Sequence, residues 1–108
     1  MIPQLAPAEV AGWRNDAARP SPVVVDVREP WEFAHCRIDG AISVPLSQLP
    51  ARIAELPPEH DVILVCHHGS RSQQAAVFLA RNGFSRVYNL RGGVEAWAIE
   101  VDPAMPRY

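Results

Sequence analysis

Continuous apolar runs alternate with amphipathic segments along the chain, and this alternation predicts strands and helices in turn. Two of the runs are rich in β-branched and aliphatic residues, which is typical of strands buried on both faces. A shorter apolar run is stopped by Pro45. The predicted strands are Val23–Val27, Ala41–Val44, Asp61–Val65 and Arg86–Leu90.

Between these strands, apolar residues recur at helical spacing. The clearest case places Ala75, Phe78 and Leu79 on one face, and Gly83 then closes the helix. Another segment has Pro7 near its start, where a helix tolerates proline best. The predicted helical segments are Leu5–Ala17, Pro30–Cys36, Leu46–Leu56, Arg71–Asn82 and Val94–Ile99.

Strands that alternate with helices indicate βαβ units, and hence an α/β fold whose parallel sheet is covered on both faces. The 108 residues suffice for one compact domain and are too few for two. We expect one domain over residues 1–108, with an irregular Pro-rich tail at 101–108 that packs on the domain or contacts a partner. Ligands bind at the carboxyl ends of parallel strands, here just after Val27, Val65 and Leu90.

The composition says little about the fold, but it excludes several classes of function. The net charge is -2, which argues against a general nucleic-acid binder. All ten basic residues are Arg, so Schiff-base chemistry, a P-loop lysine and a lysine general base are excluded. Any catalytic cation must therefore be Arg or a protonated His.

The cysteines and the apolar runs bear on location. Cys36 and Cys66 do not make a disulfide framework. Residues 1–5 lack a basic segment and a long apolar run, which argues against a secretory signal. The apolar runs are too short to span a bilayer. We therefore expect a cytoplasmic protein with reduced thiols and no membrane partner.

Cys66 ends a buried strand and is followed by a short loop that opens onto a helix. Inward-facing N–H groups and the helix dipole favour a reactive thiolate in such a place. Gly69 permits the tight turn, and Arg71 supplies a planar cation for an anionic substrate or leaving group. These offsets favour a catalytic Cys66 over an ordinary buried cysteine. The predicted binding loop comprises His67, His68, Gly69, Ser70, Arg71 and Ser72.

The two loop histidines leave two interpretations open. His67 and His68 could add positive charge at low pH or assist a proton transfer, or could merely supply backbone N–H groups with their rings in solvent. A Cys-His-His zinc site is disfavoured because adjacent residues do not match the usual ligand spacing. We predict no metal.

Four segments in order resemble motifs of the rhodanese-like family of sulfurtransferases, and the resemblance covers nearly the whole chain. One departure is that Cys36-Arg37 stands where the family has Gly-His before Ile38. The four segments are Val24–Phe33, which looks like the first signature; Ile38–Pro45, similar to G-H-I-x-G-A-x-x-x-P; the active-site loop Cys66–Ser72; and Leu90–Trp97, similar to G-G-x-x-A-W.

The resemblance implies a three-layer sandwich with a mostly parallel five-stranded sheet and helices on both faces. It also implies a single-domain sulfurtransferase without metal or organic cofactor. In that mechanism the Cys66 thiolate takes the outer sulfur of thiosulfate or a persulfide. The resulting persulfide passes its sulfur to a thiol or cyanide, with a sulfur-carrier protein as a possible partner.

Loop length separates the activities found on this fold. Cys66 and Arg71 have the Cys-x4-Arg spacing of the family's sulfurtransferases, whereas its phosphatases and arsenate reductases use one residue more. The spacing therefore favours sulfur transfer over a phosphatase or arsenate reductase. A non-catalytic protein-binding module is the other alternative, and the presence of Cys66 counts against it.

The remaining candidates support the loop. Asp26, Arg28 and Glu32 are expected to form an ion-pair network that braces it. Arg91 follows another strand end and could provide a second anion contact at the pocket mouth. Cys36 could resolve a Cys66 persulfide as a disulfide, but a packing role is favoured.

Overall fold

Five short strands form one sheet in the computed structural model, which describes residues 1–108. The strands are β1 (Gln4–Leu5), β2 (Val23–Asp26), β3 (Ile42–Ser43), β4 (Val62–Val65) and β5 (Val87–Leu90). Their order across the sheet is β1-β5-β4-β2-β3, and every neighbouring pair is parallel. The predicted parallel sheet is confirmed, and it is wholly rather than mostly parallel.

The chain has five α-helices, of which four lie between strands and the fifth follows β5. They are α1 (Pro7–Asn15), α2 (Pro30–His35), α3 (Leu49–Arg52), α4 (Ser70–Arg81) and α5 (Gly93–Glu100). No helix combines the length and the apolar character needed to cross a membrane.

The prediction of one helix over Leu46–Leu56 is wrong. The segment consists of a 3-10 turn at Leu46–Gln48, the single turn of α3, and a second 3-10 turn at Ile53–Glu55. Pro50 has no N–H to donate to the carbonyl of Leu46, which interrupts the α-helical hydrogen-bond ladder. The apolar face is nevertheless retained, since Leu49 and Leu56 are buried.

The start of the chain also differs from the prediction. Leu5 is not the first residue of a helix, because Gln4 and Leu5 pair with Asn89 and Leu90 as the edge strand β1. The helix begins at Pro7, where the absent proline N–H would have had no helical partner. The two-residue β1 is the fifth strand that the family resemblance implies.

Side chains of β4 alternate between the two faces of the sheet and so divide the core. Leu64 and Cys66 belong to one apolar cluster, which includes α4 residues such as Leu79. Ile63 and Val65 belong to the other cluster, which α1 and α5 cover with residues that include Val10 and Trp97. The sheet is thus covered on both faces, and the carboxyl ends of its three central strands meet at one edge.

Candidate active site

Cys66 lies directly after β4, at the centre of this edge, and its side chain has no exposed surface. The Gly69 N–H donates a hydrogen bond to Sγ over 3.0 Å, and Ser72 Oγ lies 3.2 Å from the same sulfur. Gly69 has φ of +111° and forms the N-cap of α4. This left-handed conformation, which glycine adopts readily, turns the loop back over the cysteine.

The beginning of α5 packs directly on the backbone of the loop. The Val94 N–H donates to the Cys66 carbonyl over 2.9 Å, and the Glu95 N–H donates to the His67 carbonyl over 3.2 Å. A Cβ on Gly93 would lie 2.3 Å from the His67 oxygen and 2.4 Å from the Cys66 oxygen. Glycine is therefore required at this point, and α5 holds the cysteine loop in place through its backbone.

Arg71 is engaged by a carboxylate from α2. Its Nη1 donates to Glu32 Oε1 over 2.6 Å and its Nη2 donates to Oε2 over 3.0 Å. Arg71 holds the pKa of Glu32 at about 2, and the carboxylate in turn raises the pKa of Arg71. The role of this guanidinium as an anion contact remains a prediction, and an incoming anion would have to share it with Glu32.

Asp26 and Arg28 form the buried ion pair of the predicted bracing network. Arg28 Nε donates to both carboxylate oxygens of Asp26, and Nη2 donates to Oδ2 over 2.7 Å. Arg28 Nη2 also donates to the Cys36 carbonyl over 2.6 Å. Burial lowers the pKa of the Arg28 side chain, but hydrogen bonds, with Asp26 as the largest contributor, raise it overall. This pair reaches the loop indirectly, through a residue that the sequence did not reveal.

That residue is Tyr108, whose hydroxyl connects the two ion pairs. The hydroxyl donates to Glu32 Oε2 over 2.7 Å and accepts from Arg28 Nη1 over 2.8 Å. Burial raises the pKa of Tyr108 to about 12, so the phenol stays neutral. The tail therefore packs on the domain, which answers a question the sequence left open, and its Met105 is buried.

The two loop histidines have different surroundings. The His67 ring is stacked between the rings of Tyr108 and His68, with both centroids 3.9 Å away. Burial lowers the pKa of His67, which keeps it neutral at pH 7, and its Nε2 is buried without a hydrogen-bond partner. His68 is exposed. A ring in solvent therefore describes His68 but not His67.

Asn89 of β5 is a second site residue that the sequence did not reveal. Its Oδ1 lies 2.5 Å from Ser72 Oγ, and its Nδ2 donates to the Gly69 carbonyl over 3.1 Å. It thereby contacts both residues that lie against the Cys66 sulfur, Ser72 through its hydroxyl and Gly69 through its carbonyl. The available signal was a buried amide within the apolar strand β5.

The other candidates form no hydrogen bond with the sulfur. Arg91 is exposed and forms no ion pair, and Ser70 is exposed at the start of α4. Cys36 is buried in the apolar cluster on the opposite face of the sheet from Cys66. Its extended backbone, with φ of −160°, suits any residue, which explains why a cysteine is tolerated where the family has glycine.

Two surface clefts lie elsewhere on the molecule. One, of about 230 Å³, lies between α1 and α5 beside Arg14 and Trp97. The other, of about 430 Å³, is lined by residues that include Leu56 and Phe84. Neither contains a residue of the cysteine loop. No group of three or more His, Cys, Asp or Glu side chains is placed to hold a metal ion.

Comparisons with known proteins agree with the motifs and the fold. The family model described as rhodanese-like domain matches residues 7–100. A protein named sulfurtransferase from Allochromatium vinosum is 43% identical over 76 residues, 70% of this chain and 71% of its own. The thiosulfate sulfurtransferase GlpE of Stutzerimonas stutzeri is 39% identical over 94 residues, 87% of this chain and 83% of its own.

Solved structures show the same architecture. A rhodanese-related protein from Thermoplasma volcanium superposes with a TM-score of 0.82 at 27% identity, covering 92% of this chain and 93% of its own. A thiosulfate sulfurtransferase from Pseudomonas aeruginosa superposes with a TM-score of 0.80 at 35% identity, covering 91% of this chain but only 19% of its own. Both contain the same arrangement of sheet and helices over nearly all of the present chain.

Proposed function

This chain belongs to the rhodanese-like domain family, and from that premise we propose that it is a sulfurtransferase whose nucleophile is Cys66. The proposed reaction moves a sulfane sulfur from thiosulfate or a persulfide to a thiol or cyanide acceptor. Relatives named sulfurtransferase and thiosulfate sulfurtransferase support this class of activity.

One observation carries the proposal: the sulfur of Cys66 sits against the start of α4 with the Gly69 N–H directed at it. A backbone donor and the positive end of a helix both stabilise a negatively charged sulfur. Four residues separate Cys66 from Arg71, which is the shorter spacing used by the family's sulfurtransferases. These features suit a nucleophile better than a packing cysteine.

The proposed cycle has two displacements. In the first, the Cys66 thiolate attacks the outer sulfur of thiosulfate; a new S–S bond forms, and sulfite leaves with the electron pair of the broken bond. In the second, an acceptor thiolate or cyanide attacks the outer sulfur of the Cys66 persulfide. The acceptor then holds the sulfur, and Cys66 is released as a thiolate. No net oxidation or outside reductant is involved.

The residues around Cys66 would stabilise the thiolate and bind the anionic donor in this cycle. The Gly69 N–H would stabilise the thiolate, in the way an oxyanion hole stabilises oxygen. Arg71 would attract the anionic donor while its two hydrogen bonds to Glu32 hold the guanidinium in place. We expect the protein to act in the cytoplasm. Its acceptor there would be a small thiol or a sulfur-carrier protein.

Intact-mass spectrometry tests the proposal directly. The protein is treated with thiosulfate, glutathione persulfide or polysulfide and then offered cyanide or a thiol. We expect one added sulfur atom, removed by the acceptor, in the wild type and in Cys36→Ser, and none in Cys66→Ser. A folded wild-type protein that takes up no sulfur from any of these donors contradicts the proposal. Rapid hydrolysis of an aryl phosphate or reduction of arsenate would instead favour the phosphatase or reductase alternative.

A further inference from the structure

Ser72 stands between two acceptors and has one hydrogen to donate. Its Oγ lies 2.5 Å from Asn89 Oδ1 and 3.2 Å from Cys66 Sγ. The amide oxygen carries no hydrogen, so two oxygens this close require the serine hydrogen between them. The geometry therefore directs the Ser72 hydroxyl hydrogen toward Asn89 and away from the sulfur.

The orientation of Asn89 is fixed independently of Ser72. Its Nδ2 lies 3.1 Å from the Gly69 carbonyl oxygen and 2.8 Å from Gln4 Oε1. A backbone carbonyl only accepts, so the amide nitrogen must face Gly69 and the amide oxygen must face Ser72. Asn89 is 3% exposed, which leaves little opportunity for water to take over its hydrogen bonds.

This arrangement has a consequence for the protonation of Cys66. While the Ser72 hydroxyl donates to Asn89, its oxygen presents a lone pair to the sulfur. That lone pair can accept from the S–H of a thiol, but it repels a thiolate. The Gly69 N–H is then the donor that a negative sulfur retains. For Ser72 to donate to the thiolate, its hydroxyl must rotate and give up the bond to Asn89.

We propose that Asn89 is a positioning residue that sets the balance between the thiol and thiolate forms of Cys66 by holding the hydrogen of Ser72. When the S–H bond breaks, the proton passes to a base in solvent and the electron pair stays on sulfur. The Ser72 O–H then turns from Asn89 to the thiolate. The inference rests on the proposed function in treating Cys66 as the nucleophile.

Other ionisable groups also surround the sulfur, and the test must leave them in place. Arg71 lies close enough to interact electrostatically with Cys66. His67 and His68 follow Cys66 in the loop, and Glu32 and Tyr108 lie beyond Arg71 and His67. The packed faces of α4 and β2 contribute apolar side chains to the cluster around Cys66. Substitutions at Asn89 and Ser72 alter none of these groups.

The test is the rate of Cys66 alkylation by iodoacetamide as a function of pH, followed by peptide mass. The rate at the high-pH plateau reports how accessible the sulfur is. The pH at the midpoint is the pH at which half of Cys66 is thiolate. We expect Asn89→Leu to move the midpoint down by about 0.5 to 1 pH unit, since one neutral hydrogen bond no longer opposes the thiolate. Below the midpoint, alkylation should be about 3- to 10-fold faster.

Ser72→Ala supplies the decisive comparison. In that background Asn89→Leu should leave the midpoint where it is, because the hydroxyl through which Asn89 acts is gone. An equal shift with and without Ser72 would overturn the proposal, since it would trace the effect to the Gly69 contact. Gln4→Ala is the matched control: it removes another partner of Asn89 and should not move the midpoint.

A second variant guards against misfolding. Asn89→Ala also removes the acceptor and introduces no larger side chain, and circular dichroism checks the fold of each protein. An unchanged midpoint in a folded Asn89→Leu or Asn89→Ala protein would equally overturn the proposal. Alkylation needs no sulfur donor, so a failure of sulfur transfer and a failure of this shift are separate results.

Discussion

Arg71 and Glu32 face each other in a two-pronged ion pair that joins the start of α4 to α2 across 39 residues of sequence. The carboxylate is almost fully buried, whereas about a third of the guanidinium side chain is exposed. The loop that carries Cys66 is thus anchored on the α2 side by charge and on the α5 side by backbone hydrogen bonds. Each anchor can be tested separately.

The ion pair predicts a specific acid sensitivity. Arg71 holds the pKa of Glu32 at about 2, below its ordinary value of 4.5. A carboxylate with a lowered pKa stabilises the fold above pH 4.5, and its contribution is lost as the pH falls from about 4.5 to about 2. Over that range the free energy of unfolding should fall by on the order of 3 kcal/mol on account of Glu32.

Urea unfolding at several pH values measures this contribution. Glu32→Gln should be less stable than wild type at pH 7, with a smaller loss of stability between pH 4.5 and pH 2. Glu55→Gln is a suitable control, since its carboxylate pairs with Arg52 at the surface. If both variants follow the wild-type pH dependence, the carboxylate of Glu32 is not the source of the acid sensitivity.

Arg71 has a structural partner and a proposed substrate role, and two variants separate them. Arg71→Ala should destabilise the fold by about 2 to 4 kcal/mol because it leaves the buried Glu32 carboxylate unpaired. It should also raise the KM for thiosulfate by roughly 5- to 100-fold, the equivalent of one lost charge-assisted contact.

The double variant Arg71→Ala/Glu32→Gln removes the unpaired charge and should regain much of the stability. Its KM should remain high, because no cation is restored to the site. Recovery of both properties together would show that Arg71 acts only through Glu32 and the fold.

The surroundings of Gly93 predict that its substitution by alanine changes stability very differently from the same substitution at Gly12. Gly93 has φ of +61°, and a Cβ there would run into the carbonyl oxygens of Cys66 and His67. Gly93→Ala should therefore destabilise the fold by about 2 kcal/mol or more and displace the cysteine loop.

Gly12 is the matched control. It lies within α1, and a Cβ there would meet nothing within 4 Å. Gly12→Ala should stabilise the fold by about 0.5 to 1 kcal/mol, since alanine favours a helix. Thermal unfolding compares the two, and alkylation of Cys66 shows whether the loop has moved. Equal effects on Tm would mean that the close approach of α5 to the loop is not what constrains Gly93.

The sequence predicts the parts of this molecule that are local. The strand, loop and helix around Cys66 follow from consecutive residues. Gly83 follows the end of α4 as expected, and Gly69 has the positive φ that the predicted tight turn needs. Strand β1 could not be predicted, because two residues are too few to show a periodicity. They form a strand only through their pairing with β5.

The parts that the sequence does not predict are contacts between distant segments. Glu32 is expected to brace the loop, but nothing in the sequence indicates that its partner is Arg71, which has the type and position of an anion-binding residue. Asn89 is one polar residue in an apolar strand, and its partners Gln4 and Ser72 come from elsewhere in the chain. Local patterns describe which residues can react, while tertiary packing decides which groups are free to do so.

Tyr108 gives the last prediction, because its ring and its hydroxyl have different tasks. The ring covers one face of His67, and burial is the main reason that the pKa of His67 is lowered. Tyr108→Ala should therefore raise the pKa of His67 toward its ordinary value of 6.5. Tyr108→Phe keeps the ring on His67 and should leave that pKa low. Proton NMR of the His67 ring, assigned with His67→Gln, measures both.

The hydroxyl should show its effect in stability instead. Both substitutions remove the group that joins Glu32 to Arg28, so both should destabilise the fold, by about 1 to 2 kcal/mol in Tyr108→Phe. Only Tyr108→Ala should also speed the alkylation of Cys66 at high pH, since the ring lies against the residue that follows the cysteine. A Tyr108→Ala protein with the wild-type His67 titration and alkylation plateau would show that the tail does not shield the cysteine loop.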